Sequence, residues 1–430
     1  MFKKKKAPFP LLEKNVSSIA KNHTIQLNPT HNTDNMLGQP GMNRQMQGPN
    51  AKQLKVEDAL EYLEKVKKQV RSGLANTPTS PGEIAGNLVS ATNFGSLHPY
   101  GEVMTEETLE NVSRQDLVEY HKTYFRPNAA YLIVVGDITP DEAYAKANAH
   151  FGNWYRGDIP YTRIMPAKFP TGNQVRFAAV EGAVQSTINI TQPVPFPPGH
   201  PDAAAIQLMN SILGGGAFSG RLMQNLREDK AFTYGARCSL SADPVTAQFI
   251  AYADVRSEVT DSALVEFMAE IHRIRDEPVD STELATAKAF LSGSFARSLE
   301  NEGTVARFAL NIERYDLPED HYQTYLQRLD AVTVEDIQRV AKNMLKPNNL
   351  NICVVGSPDI LDKLRPFDAG NGIDQYDAFG RVRSPRTDAP AGTTVEGIVS
   401  RHFDAIGGAK AWSKLSGMTT EGSVEFGAGM

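Results

Sequence analysis

Residues 214–234 read GGGAFSGRLMQNLREDKAFTY. Three glycines, Gly214, Gly215 and Gly216, close an apolar, helix-like run from Ala203 to Leu213. Ser219 and Gly220 continue the small-residue stretch. A second helical run follows, with Phe218, Leu222 and Leu226 four apart on one face. Tyr234, Ala236, Cys238 and Leu240 then alternate, which predicts a strand with one buried face. Arg227 falls at the end of that helix and Tyr234 at the start of that strand. Both side chains are hydrogen-bond donors, so the pair can converge on one carbonyl or carboxylate.

Three readings compete for this stretch. One is a tight turn needing positive φ, with Arg227 paired to Glu228 or Asp229 on the surface. Another is a phosphate loop. It fails, because no Gly-Lys-Ser/Thr follows the glycines and no dinucleotide spacing is present. The third is a clamp on a peptide backbone. The rest of the chain has to decide between the first and the third.

Outward from the stretch, the chain repeats itself. Residues 112–138 and 332–358 align without a gap at a constant offset of 220 (332 − 112). Val112/Val332, Asp116/Asp336, Lys122/Lys342, Pro127/Pro347, Asn128/Asn348, Val134/Val354, Val135/Val355 and Gly136/Gly356 are identical pairs. Each copy has a capping signature (Ser113-x-x-Asp116 or Thr333-x-x-Asp336), a helix, Pro-Asn, and an apolar strand ending in Gly. This is a duplicated half-domain, with one whole copy and the back part of another.

Between the copies, Val175–Val180 and Gln185–Gln192 read as strands, and Gln248–Val255 pairs with Tyr234–Leu240 as a hairpin. Helices are expected over Thr260–Asp276, Thr282–Leu299 and Thr304–Tyr315. Thr260 is the expected cap of the first, and Asp280-x-x-Glu283 is the capping box of the second. Strands followed by helices predict an α+β layer, a sheet covered on one face. Upstream, Val56–Leu74 and Glu83–Thr92 read as helices, and His98-Pro99-Tyr100-Gly101 as a turn.

The domain organisation follows. Residues 1–53 lack apolar periodicity and read as a disordered tail holding His23 and His31. Lys3–Lys6 ahead of Phe9 imitates a signal peptide whose apolar region is too short. Residues 54–165 form the back part of the first half-domain and 166–368 the complete second. Residues 369–394 are a linker. Residues 395–430 are the truncated start of a third domain, a helix over Val395–Leu415 and then a strand over Met418–Phe426.

Bulk properties narrow the function. A net charge of −6 argues against a nucleic-acid partner, and no run is long enough to span a membrane. Two cysteines, Cys238 and Cys353, exclude a disulfide framework and a cysteine metal cluster. The remaining histidines, His98, His121, His150, His200, His272, His321 and His402, are scattered singly.

The span from about Glu64 to Gly356 resembles the pitrilysin/insulinase family of zinc peptidases, in particular its bacterial members. Three features carry the likeness: His98-Pro99-Tyr100-Gly101, the duplicated Pro-Asn…Val-Val-Gly unit, and the Gly214–Gly235 stretch with Ser219-Gly220-Arg221-Leu222, Leu226-Arg227-Glu228 and Tyr234-Gly235. The resemblance implies paired α+β half-domains that close like a clamshell around a peptide. It also implies that Arg227 and Tyr234 hold the substrate carbonyl near a zinc ion on the other half. The family's zinc motif, His-x-x-Glu-His, occurs nowhere in the chain. The place of its third-ligand Glu falls near Ser72 or Gly73, neither of which binds zinc. The resemblance therefore points to a chain with no metal or cofactor of its own, inactive alone. It would complete a peptidase as one half of a heterodimer with a zinc-bearing partner, in a bacterial periplasm or envelope. A purely structural module, or a fragment of an active zinc peptidase, are the alternatives.

Overall fold

The computed structural model describes residues 56–383 except 162, 163, 166, 168, 217, 218 and 371, together with 394–405 and 408. The expected tail over 1–53 and the strand over Met418–Phe426 lie outside these residues, as does Phe218. The chain divides into two compact units between Val382 and Arg383.

The first unit begins with α1 (Val56–Asn76), α2 (Pro81–Phe94), α3 (Glu106–Asn111), α4 (Arg114–Tyr124) and α5 (Pro140–Phe151). Then come β1 (Gln174–Ala179), β2 (Gln185–Val194), α6 (Ala203–Asn210), α7 (Arg221–Met223), β3 (Thr233–Leu240) and β4 (Ala247–Arg256). It continues through α8 (Thr260–Asp276), α9 (Ser281–Ser298), α10 (Glu302–Arg314), α11 (Tyr325–Asp330) and α12 (Val334–Met344). β5 (Asn351–Gly356), α13 (Leu361–Leu364) and β6 (Asp374–Tyr376) complete it. In the second unit, α14 (Val395–Ala405) realises the first part of the expected helix.

The six strands form one mixed sheet in the order β3-β4-β2-β5-β1-β6. β2 runs antiparallel to β4 and β5, while β1 runs parallel to β5 and β6. One face carries Val175, Phe177, Ile188, Ile190, Ile352 and Val354 into the main core, against α6, α8 and α12. Their alternation is the period-two pattern of a strand with a core face. β5 is buried at every residue, as a central strand covered on both faces must be. Both repeats begin their helix with the expected capping box, at Ser113/Asp116 and at Thr333/Asp336. The Asp280/Glu283 box starts α9. Thr260 is not a cap: Val259 takes that position, and the Thr260 hydroxyl donates to the Ser257 carbonyl.

Three features depart from the expectation. First, the sheet is covered on its other face as well. Ile84, Ala85, Leu88 and Val89 of α2 pack on Ala178, Cys353, Val355 and Tyr376. Asn93 at the end of α2 donates to Thr191 Oγ1 (2.8 Å) and Gln248 Oε1 (3.1 Å) and accepts from Asn351 Nδ2 (3.0 Å). So α2, expected in the first half-domain, completes the second. Strand residues that point away from the main core are themselves apolar, and that face needs a helix. Second, β6 pairs with β1, so the sheet runs past residue 368 into the expected linker. Third, the apolar run of the first copy, Tyr131–Gly136, forms no strand. Among the described residues no strand pairs with it as β1 and β2 pair with β5.

Candidate functional site

The glycine stretch is positioned by two wide, π-type turns. One extends α6 over Ser211–Gly215 and the other extends α7 over Gln224–Asp229. Such turns insert an extra residue per turn and recur at functional sites. The glycines are not there for positive φ, because Gly216 and Gly220 have φ of −72° and −69°. They are there for close approach. A Cβ on Gly214 would stand 2.9 Å from the Cys238 amide nitrogen, and one on Gly220 would stand 2.8 Å from the Gly214 Cα. The loop backbone thus lies directly on β3. Gly215 and Ser219 are exposed, while Gly214, Gly216 and Gly220 are buried.

Leu222 and Leu226 are fully buried on one face, as their spacing predicts. Arg227 lies one residue past Leu226 and is therefore turned to the rim. Its Nε is 3.5 Å from Glu228 Oε1, and its guanidinium carbon sits 5.1 Å from the centroid of the Tyr234 ring. Tyr234 is 89% exposed. It lies on β3, an edge strand of the sheet, at the register shift between Thr233 and Ala236. A bulge turns a side chain out of the alternating pattern, which frees Tyr234 from packing. The structure therefore brings Arg227 and Tyr234 together as a cation–π pair, worth about 0.5–1 kcal/mol when exposed. The surface ion pair to Glu228 is present as well, so the bland reading and the clamp share one geometry.

A neighbouring polar cluster escapes sequence reading altogether. Arg221, 6% exposed, donates from Nε and Nη2 to the two oxygens of Glu283, both at 2.8 Å. Burial opposes the Arg221 charge, but the hydrogen bond and charge of Glu283 outweigh it. In return, the Arg221 hydrogen bond holds the Glu283 carboxyl below its ordinary range. Asn225 donates to Glu266 and Glu270 at 3.0 and 2.9 Å. Together these contacts tie α7 and its π turn to α8 and α9, and so fix where Arg227 stands. Arg221 and Glu283 are far apart in the chain, and no local pattern signals such a pair.

His98 is a buried core residue, 2% exposed. Its Nδ1 accepts from the Tyr100 amide (3.0 Å), its ring stacks on Phe94, and its Nε2 has no partner. The Tyr100 hydroxyl donates to Asp243 in the β3–β4 loop. Ser72 and Gly73 are exposed on α1. Among the described residues no group of three His, Cys, Asp or Glu side chains is placed to hold a metal ion. No helix among them is long and apolar enough to cross a membrane.

Comparison with known proteins places this geometry. Residues 111–291 match the family described as Peptidase M16 inactive domain. The match begins in the first copy and ends within α9. An uncharacterized zinc protease of Bacillus subtilis, YmxG, is 24% identical over 286 residues, covering 66% of this chain and 68% of its own length. An uncharacterized zinc protease of Mycobacterium leprae is 24% identical over 67% of this chain and 64% of its own. The chain thus spans about two thirds of these relatives. Among solved structures, the peptidase M16 inactive domain of Pseudomonas fluorescens superposes with a TM-score of 0.64 at 22% identity, over 69% of this chain and 71% of that one. A shared sheet-and-helix fold and a matched sequence span agree: residues 111–291 match the inactive domain of the M16 peptidases, and the fold is similar to that of a solved example.

Proposed function

We propose that the chain is a non-catalytic, peptide-binding subunit that completes a zinc metalloendopeptidase with a partner bearing His-x-x-Glu-His. The observation that supports this reading is the Arg227–Tyr234 pair itself. A phenol on an edge strand, 89% exposed, has no packing reason to be aromatic. The guanidinium over its ring adds a permanent positive charge beside a neutral O–H donor. Two such donors suit a peptide carbonyl, and suit still better the oxyanion it becomes when water attacks it. Donors aimed at developing charge act mainly in the transition state. The zinc and the attacking water would belong to the partner. The part assigned to this chain is to orient the substrate backbone and to stabilise the oxyanion.

The test is turnover by a complex reconstituted with a zinc-bearing subunit of the family. Tyr234→Phe is expected to lower turnover roughly a hundredfold, the loss typical of one oxyanion donor. Arg227→Ala is expected to do at least as much harm. Affinity between the subunits should stay unchanged for both. If both variants keep full turnover in a well-formed complex, this lobe is scaffold and the clamp reading is wrong.

A further inference from the structure

We propose that one water molecule is an integral part of this fold, bound between Arg221, Asn225 and Glu270 where the π turn after α7 meets α8. Three polar atoms carry the inference. Arg221 Nη1, Asn225 Oδ1 and Glu270 Oε2 are each shut off from solvent, and none has a hydrogen-bond partner in the protein. Arg221 is 6% exposed and Glu270 5%. Elsewhere among the described residues, the buried side-chain atoms without a partner are nitrogens of His or Arg, whereas the two such oxygens both lie here. Native interiors rarely leave such groups unpaired, so two oxygens and a guanidinium nitrogen in one place point to a ligand.

Existing contacts bring the three residues together. Asn225 Nδ2 donates to Glu270 Oε1 at 2.9 Å, which sets amide and carboxylate head to head and leaves Oδ1 and Oε2 as their second atoms. Arg273 also approaches Oε1, at 3.7 Å, rather than Oε2. Arg221 precedes Asn225 by four residues, the spacing that puts two side chains on one helix face. Its Nε and Nη2 are bound to Glu283, so Nη1 is the arm of the fork left over. The Arg221 charge interacts most with Glu283 and next with Glu270. Turning the Asn225 amide over does not help. Nδ2 also donates to Glu266 Oε2 at 3.0 Å, and a flipped oxygen would meet two carboxylates.

The unmet capacities name the ligand. Oδ1 and Oε2 each need a donor, and Nη1 needs an acceptor. The occupant must donate twice, accept at least once and fit a packed interior. A metal ion or ammonium cannot accept from Nη1 and brings a second positive charge to the guanidinium. An anion such as chloride cannot donate and would face Glu266, Glu270 and Glu283. Water meets all three needs, and two to four polar partners are what a buried water takes. Placed there, it is a further tie between the π turn that carries Arg227 and α8.

The experiment is a crystal structure of the full chain at a resolution that shows ordered waters, alongside Glu270→Gln and Glu270→Leu. In the unaltered chain a density peak should lie within about 3.2 Å of all three atoms. Glu270→Gln should keep it, because the new amide donates where the carboxylate accepted and water can accept there. Glu270→Leu should lose it, because a partner is replaced by methyl groups. No peak in the unaltered chain overturns the proposal, as do the three atoms bonded instead to Lys230, to Arg273 or to one another. A peak with contacts shorter than about 2.5 Å overturns it in favour of a cation. A peak that survives Glu270→Leu unmoved overturns it as well. The unaltered chain decides by itself even if the leucine variant does not fold. The measurement needs neither zinc nor turnover, so its failure leaves the Arg227–Tyr234 reading untouched.

Discussion

Removing Glu283 should destabilise this protein far more than removing its partner Arg221, although the same ion pair is lost. The Arg221 side chain is 5% exposed and that of Glu283 is 32% exposed. Glu283→Ala leaves a guanidinium in the interior whose Nη1 already has no protein partner. Breaking a buried pair in that way costs about 3–5 kcal/mol. It also deletes the Glu283 acceptor of the Asp280 amide at the start of α9, worth about 1 kcal/mol. Arg221→Met leaves a carboxylate that reaches water and keeps its capping bond, while methionine fills most of the vacated volume. Its cost should be about 1–2 kcal/mol. The double variant should resemble Arg221→Met plus the lost cap, giving a coupling of about 3–5 kcal/mol in the cycle. Urea unfolding of the four proteins at pH 7 measures this. The sign with pH is also set: Glu283 has a folded pKa below its unfolded value near 4.5. Its contribution is therefore full above that value and is lost as pH falls through the folded pKa. Equal costs for the two single variants, or a coupling near zero, would refute the reasoning.

Other consequences are as direct. Gly220→Ala forces a methyl to within 2.8 Å of the Gly214 backbone. It should cost about 1–3 kcal/mol and lower the melting temperature by several degrees in a calorimetric scan; an unchanged melt would contradict the close-approach reading. Burial pushes the Cys353 thiol up to about 12 and raises Cys238 further, so at pH 8 a thiol reagent should label neither until urea unfolds the chain. Burial holds the His98 pKa below its ordinary 6.5. Stability tied to His98 is then complete above that value and lost as pH falls below it, and a His98→Asn variant should lack that part of the acid loss in denaturant titrations. Dialysed full-length chain should carry only substoichiometric zinc by metal analysis.

Much of this was legible in the sequence. Capping boxes at Ser113, Thr333 and Asp280 depend on residues three apart, so local spacing suffices to find them. The burial of Leu222 and Leu226 follows from helical period. The hairpin of β3 and β4 follows from alternation on both arms. Arg227 and Tyr234 were visible as two donors at the junction of helix and strand. Their meeting was an inference, because the turn between them bends the chain through Ala231, which has a φ of 51°.

What the sequence determined by itself is therefore most of the helices and strands of residues 175–356, the repeated pattern at an offset of 220 and the candidate pair, all consequences of short-range period, capping and turn chemistry. Tertiary structure alone decided which partner each apolar face found. It sent α2 to the far face of the sheet, and joined Arg221 to Glu283. It also left Tyr131–Gly136 outside any strand, while its copy, identical at three of six positions, became β5. An apolar run says that a segment seeks cover. Whether it becomes a strand depends on long-range neighbours that supply the hydrogen bonds and the second face, and no local pattern encodes those.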